Sequence, residues 1–159
     1  MKTITIEWLR EKQACDENVK WFSKKFGKEA DVEKLKSALV EDKKWSWLYW
    51  LFVYAKLSGE YKSFWGNGKP WEYCFFKNGK LNGEYKLYLE SGNLWEQVSY
   101  RNGKLNGEYK WFYESGDLWE HLFYRDGVLD GEYKSYWENG ELVIQCFYKD
   151  GVIVKEEEK

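Results

Sequence analysis

Four consecutive segments of this chain open with the same tetrapeptide, Gly-Glu-Tyr-Lys, at Gly59, Gly83, Gly107 and Gly131, a spacing of 24 residues each time. A repeat of that length is one supersecondary unit that buries its apolar face against its neighbours, so the second part of the chain must fold as a stacked array. Each copy holds two short aromatic-rich runs and two glycine turns. One turn series is Asn67-Gly68, Ser91-Gly92, Ser115-Gly116 and Asn139-Gly140; the other is Asn78-Gly79, Asn102-Gly103, Asp126-Gly127 and Asp150-Gly151. Asn-Gly and Asp-Gly between aromatic runs signal hairpins, because both central residues of a type I′ turn take positive φ. The expectation is an eight-strand antiparallel β-meander over residues 58–154, roughly 35 Å long at about 4.8 Å per strand.

The residues before Leu57 are built differently, with one glycine, Gly27, where the remainder has 13. Apolar residues there recur at helical spacing: Ile6 and Leu9; Val19, Trp21, Phe22 and Phe26 after Asp16 as N-cap; Val32, Leu35, Leu39 and Val40 after Asp31; and a Trp-rich helix from about Asp42 to Lys56. That last stretch holds about 11 apolar residues, well short of the roughly 20 a membrane span needs. It reads as a buried helix. The chain is therefore expected to be α+β: a helical unit over residues 1–57, the repeat sheet over 58–154, and a charged tail over 155–159.

If both turns are two-residue loops, alternation fixes the faces of the sheet. In the second copy Gly83, Tyr85, Leu87, Leu94, Glu96, Val98 and Tyr100 then share an apolar face, with Gly83 leaving room for a tyrosine ring. Glu84, Lys86, Tyr88, Trp95, Gln97 and Ser99 share a mixed face. On that mixed face Glu84 and Glu108, Lys86 and Lys110, and Tyr88, Phe112 and Tyr136 recur in register, with Trp71, Trp95 and Trp119 across the hairpin. These ten residues are the candidate partner-binding set, since Trp and Tyr dominate interface energetics while flanking charge sets specificity. The bland alternative is a solvated, self-compensating face.

Chemistry finds little support. Formal charge is -2 and the pI about 5.7, which gives no general attraction to phosphate backbones, so direct nucleic-acid binding is not expected. His121, the one histidine, sits where other copies have Tyr73, Gln97 and Gln145 and reads as a surface variant. No catalytic residue, cofactor site or metal site is assigned: ligands do not cluster, and the lone turn glycines are not phosphate loops. Cys74 and Cys146 occupy one repeat position six strands apart, about 29 Å on a flat sheet, far beyond disulfide reach. They are expected to be buried free thiols, with Cys15 a small core residue. A cytoplasmic location is expected, with no apolar signal core after Met1 and no long apolar run.

Gly-Glu-Tyr-Lys, an aromatic, a glycine turn, Leu-Trp-Glu, an aromatic followed by Lys or Arg, and Asn-Gly-Lys-Leu together resemble the MORN repeat, in the bacterial variant found in antitoxin-like proteins of the YwqK type. The resemblance spans residues 58–154 and implies a β-meander scaffold acting through protein contacts, with lipid contact claimed for some relatives and no catalytic residues. Residues 1–57, with Glu7-Trp8-Leu9, Trp21-Phe22 and a Trp-rich final helix, resemble a helical segment of phage and mobile-element proteins. Together these imply a non-enzymatic inhibitor of a bacterial toxin or defence nuclease, of antitoxin, immunity or anti-CRISPR type. The alternative is a structural or membrane-peripheral scaffold. A homo-oligomer joined through the sheet edge after Val152-Ile153-Val154 is a further option, opposed by the Lys155-Glu156-Glu157-Glu158-Lys159 charges.

Overall fold

A computed structural model describes residues 2–157, which divide into two compact units, one up to Leu57 and one from Ser58 onward. In the first, β1 (Thr3–Thr5) pairs antiparallel with β2 (Glu29–Asp31), and the helices are α1 (Ile6–Glu11), α2 (Asp16–Phe26), α3 (Val32–Glu41) and α4 (Trp45–Tyr54). The small two-stranded sheet was not expected. The helix starts follow local chemistry: Thr5 accepts from the amide of Trp8, and Asp31 accepts from those of Glu33 and Lys34, satisfying N–H groups that have no partner inside the helix. Asp16 is the first residue of α2 and not its cap; Cys15 holds the cap position without a side-chain bond. Cys15 is also exposed, against the expectation of a core residue, because its place ahead of the helix turns it to the surface.

Ile4, Leu9, Phe22, Leu35 and Leu39 are fully buried in this unit. Each contributes roughly 1.5–3 kcal/mol by leaving water. The Trp-rich α4 meets its neighbours through rings: Trp47 packs edge-on against Trp21 at 4.9 Å, and Trp50 against Trp8 at 5.6 Å. Asp42 ties α2 to the turn before α4, accepting from Trp21 Nε1 at 2.8 Å and from Lys25 Nζ at 3.0 Å. Val40 faces outward, at the edge of the stripe that Leu35 and Leu39 bury. No helix among the described residues is long and apolar enough to cross a membrane.

The second unit is the meander: β3 (Gly59–Phe64), β4 (Pro70–Lys77), β5 (Lys80–Tyr88), β6 (Leu94–Arg101), β7 (Lys104–Phe112), β8 (Leu118–Arg125), β9 (Val128–Leu129), β10 (Gly131–Tyr136), β11 (Leu142–Lys149) and β12 (Val152–Glu157). Sequence neighbours pair antiparallel from β3 to β8 and from β10 to β12, and β8 pairs on its other side with both β10 and the two-residue β9. Among the described residues the sheet has ten strands: the eight expected, one of them split in two, and β12 at the edge. The interruption at Asp130 separates β9 from β10, and the charged tail supplies the outer half of β12, where Glu156 pairs with Cys146 and Glu157 with Gln145. Glu158 and Lys159 lie outside the described residues. Within β12, Lys155 holds its ammonium 5.6 Å from the Phe147 ring.

The two turn series differ. At Asn78-Gly79, Asn102-Gly103, Asp126-Gly127 and Asp150-Gly151 both residues have positive φ, as type I′ turns require. In the other series only Gly68, Gly92, Gly116 and Gly140 do. There the amide of Leu89 donates to Asn93 O at 2.9 Å and that of Gly92 to Leu89 O at 2.8 Å, closing a three-residue loop. The preceding Asn or Ser serves the loop in another way: Asn67 Oδ1, Ser91 Oγ, Ser115 Oγ and Asn139 Oδ1 each accept from the amide two residues on.

The extra loop residue is cancelled one step into the hairpin by a β-bulge. Tyr88 pairs with Leu94 but Leu87 with Glu96, leaving Trp95 as the additional residue. The same step occurs at Ser63/Phe64, Trp111/Phe112 and Ser135/Tyr136. Beyond it the register is the one a two-residue loop would give. The expected faces therefore hold for Tyr85, Lys86, Gln97 and Val98 and fail at the bulge itself.

A second irregularity surrounds the repeat glycine. Between Cys74↔Tyr85 and Phe76↔Leu81, Phe75 of β4 faces Asn82, Gly83 and Glu84 of β5. Gly83, Gly107 and Gly131 take φ of 105°, 108° and 134°, which other residues rarely adopt. A Cβ added there would point at Phe75 (4.0 Å), Ser99 (3.1 Å) and Phe123 (2.8 Å) respectively, and not into a space left for tyrosine. The glycine serves the bulged backbone and a close strand approach. Both Gly83→Ala and Gly131→Ala should carry about 1–3 kcal/mol of backbone strain. Gly131→Ala should cost more than Gly83→Ala by its clash with Phe123, a difference readable as a lower urea midpoint.

Candidate functional site

One face of the sheet is a ring pavement over a spine of small side chains. Cys74, Val98, Leu122 and Cys146 are buried at one repeat position, facing Tyr61, Tyr85, Tyr109 and Tyr133 on the strands they pair with. Each hairpin adds a ring pair: Tyr61–Phe76 at 6.4 Å, Tyr85–Tyr100 at 5.9 Å, Tyr109–Tyr124 at 5.8 Å and Tyr133–Tyr148 at 6.2 Å. Burial and the Glu72 carboxylate push the Cys74 thiol well above the usual range, so it is no nucleophile at neutral pH.

Carboxylates cross between copies on this face. Tyr109 O–H donates to Glu96, and Tyr133 O–H donates to Glu120 at 3.1 Å. Burial, then the Glu96 carboxylate accepting its proton, raises the Tyr109 phenol above its ordinary value. In copy four the corresponding residue is Ile144. The Glu is thus spent on coupling one copy to the next.

The other face is a ladder of paired charge. Lys62, Lys86, Lys110 and Lys134 each reach the glutamate two residues earlier at 3.0, 2.8, 2.7 and 2.8 Å. The second oxygen of each glutamate lies near the cross-strand residue: Tyr73 O–H donates to Glu60 at 3.3 Å, Gln97 to Glu84 at 2.7 Å and Gln145 to Glu132 at 2.6 Å. His121 takes this place in copy three, with Nε2 3.3 Å from Glu108 Oε1 but outside hydrogen-bonding geometry. The lysine ammonium holds the carboxyls of Glu60, Glu108 and Glu132 below their usual range. Exposed pairs of this kind contribute little stability. They do leave the face with few free charges.

The candidate residues fall on both faces. Glu84, Glu108, Lys86 and Lys110 are members of the ladder, with Tyr88, Phe112 and Tyr136 half-buried at its end. Trp71, Trp95 and Trp119 are not beside them. Trp119 stacks on Trp111 at 5.7 Å with planes 20° apart and lies 5.8 Å from Tyr113, while Trp111 sits edge-on to Tyr109 at 5.1 Å. Trp71 likewise meets Trp65 at 5.4 Å. These contacts put the tryptophan row on the tyrosine face, because the bulge residue turns to the side of its successor. The result is an aromatic ridge along the three-residue loops, with Trp71 40%, Trp119 36% and Trp137 59% exposed. Sequence reasoning missed the ridge, although Ser91 and Ser115 carried its signal: serine is a poor occupant of the positive-φ position that a two-residue loop would impose on it.

Among the described residues no group of three or more His, Cys, Asp or Glu side chains is placed to hold a metal ion. A regular array of hairpins, with rings on one face and compensated charge on the other, is a repeat scaffold that meets its partners along a surface. Residues 57–78, 81–102, 105–126 and 129–150 match the MORN repeat variant, and residues 1–57 match the YdhT N-terminal domain. The repeat matches cover more than half of the sequence, and the chain belongs to the MORN repeat variant family. Repeats of this family generally mediate protein interactions. No curated protein matches the chain.

His121 gives the ladder a pH dependence. Burial, then the Lys110 charge, lowers its pKa below the ordinary 6.5, while Glu108 opposes the shift. The unfolded chain therefore takes up the proton first as pH falls through about 6.5, so stability present above that pH is lost below it. His121→Gln should remove this loss and restore the bond that Gln97 and Gln145 make, a gain of roughly 0.5–1.5 kcal/mol. Urea unfolding at pH 5.5 and 7.5 checks it: the variant's advantage should be larger at the lower pH.

Proposed function

We propose that this chain is a non-enzymatic, cytoplasmic interaction protein that binds one partner protein stoichiometrically, and that the partner is a bacterial toxin or defence nuclease which it inhibits. The observation that carries the first half is the exposed ridge of Trp71, Trp119 and Trp137. Exposed aromatic clusters of this kind mark protein contact sites, and tryptophan is enriched among residues that dominate binding energy. The likeness of the repeats to antitoxin-like proteins of the YwqK type supports the second half. Buried free thiols at Cys74 and Cys146 suit a reducing compartment.

Two measurements test this. Trp95→Ala with Trp119→Ala should weaken capture of the partner by roughly 100-fold or more while the circular dichroism spectrum stays unchanged, as hot-spot residues cost about 2 kcal/mol or more each. Unchanged capture by the folded double variant removes the ridge as the site. The inhibitor role is tested by co-expression with the product of the adjacent reading frame, where relief of growth arrest and co-elution at a fixed molar ratio are expected. Absence of both sinks that role. Salt-sensitive sedimentation with anionic vesicles would favour a membrane-peripheral scaffold instead.

A further inference from the structure

The two rims of the sheet differ in charge. The four three-residue loops and the residues that close them carry Glu90, Glu114, Asp117, Glu138 and Glu141 against a single cation, Lys69, whose Nζ is taken up by Ser91 O. All five carboxylates are exposed, and among the described residues none lies within ion-pair distance of a cation. The type I′ rim carries Lys77, Lys80, Arg101, Lys104, Arg125 and Lys149. There Arg101 is paired with Asp126 at 3.0 Å, and Arg125 and Lys149 with Asp130 at 2.6 and 2.9 Å.

The free carboxylates lie along the aromatic ridge. A recess between the loops is lined by Trp65, Leu89, Glu90, Ser91 and Glu114, so ring and leucine walls meet two unpaired carboxylates. Such a recess suits a guanidinium or ammonium on an aliphatic stem, attracted by the carboxylates and by a ring face together. Corresponding loops recur at about 9.6 Å, two strand spacings, close to the 9.3 Å that three residues of an extended polyproline-type segment span.

We infer that the acidic, tryptophan-lined loop rim docks an extended, Lys/Arg-rich segment of the partner protein. The inference rests on the reading of the chain as a protein-binding module and names the chemistry of the surface it recognises. A second copy of the chain is the weaker occupant, since half of the cations on its basic rim are already paired internally.

The test uses the full chain and a fluorescein-labelled nonapeptide of arginine, read by fluorescence anisotropy at near-physiological salt. Glu114→Gln with Glu138→Gln should weaken binding about tenfold, and Trp119→Ala with Trp137→Ala about fivefold. Glu60→Gln with Glu132→Gln makes the same change of net charge on the ladder face and should shift binding less than about twofold. Equal losses from the two glutamine pairs would reduce the effect to net charge and overturn the inference, as would no measurable binding by the parent chain. Sedimentation velocity adds a third way to overturn it: self-association that the Glu114/Glu138 variant abolishes would make a second copy the occupant. If the rim variants leave the peptide untouched while Trp95→Ala with Trp119→Ala still abolishes partner capture, this inference fails and the interaction reading stands.

Discussion

The repeat unit depends on one constraint: within each hairpin, a tyrosine of the first strand must lie over a small buried side chain of the second and against the ring that follows it. Tyr85 over Val98 and beside Tyr100 is the pattern, and Tyr61, Tyr109 and Tyr133 reproduce it. Large rings at every copy bury apolar area with few residues, and offset or edge-on pairs add about 0.5–1.5 kcal/mol beyond burial. In copies two to four the tyrosines stay half-buried, so the interaction that builds the sheet also leaves ring surface in reach of solvent.

Neighbouring copies are tied by groups that a single hairpin leaves unsatisfied. The Glu96 and Glu120 carboxylates receive the phenols of the next copy, and the glycine amides of the type I′ turns, Gly103, Gly127 and Gly151, donate to Leu81, Leu105 and Leu129 of the copy before, each at 2.8 Å. Those leucine carbonyls border the bulge that the repeat glycine forms. The bulge tryptophan works within its copy, Trp119 against Trp111 and Tyr113 and Trp71 against Trp65, and copy four carries Ile144 and Val143 where the others have the coupling glutamate and that tryptophan. Stability in such an array is nearest-neighbour, so a substitution at a junction uncouples two copies without destroying either.

Most of the architecture was legible because local chemistry and periodicity agreed. Asp31 capped the helix it was expected to cap, Gly27 ended α2, and the Asn78-Gly79 series formed the turns its residue types demand. Readings failed where one residue changes register. Treating Ser91-Gly92 as equivalent to Asn78-Gly79 hid the third loop residue, and with it the bulge at Trp95. The net pairing was still correct, since loop and bulge cancel, so the error was confined to the tryptophan row and the leucine before it: Leu94, expected on the apolar face, pairs with Tyr88 and shares the ladder side. The pairing of β1 with β2 was illegible for a different reason: three-residue strands such as Thr3–Thr5 carry no periodic signal. The tail misled because Lys155-Glu156-Glu157 is poor strand sequence that joins the sheet only by pairing with β11.

The misplaced tryptophans change the functional argument. On the ladder face they would have stood among charges already satisfied, Glu84 with Lys86 and Gln97, Glu132 with Lys134 and Gln145, where binding a charged partner means breaking existing pairs. On the tyrosine face they extend the ring pavement to the loops, whose carboxylates have no such partners among the described residues. Apolar area and free charge thus meet along one rim. In the docking proposed here, desolvating Trp119 or Trp137 supplies affinity, and Glu114 and Glu138 supply orientation and encounter rate, at no cost to the internal pairing that holds the sheet together.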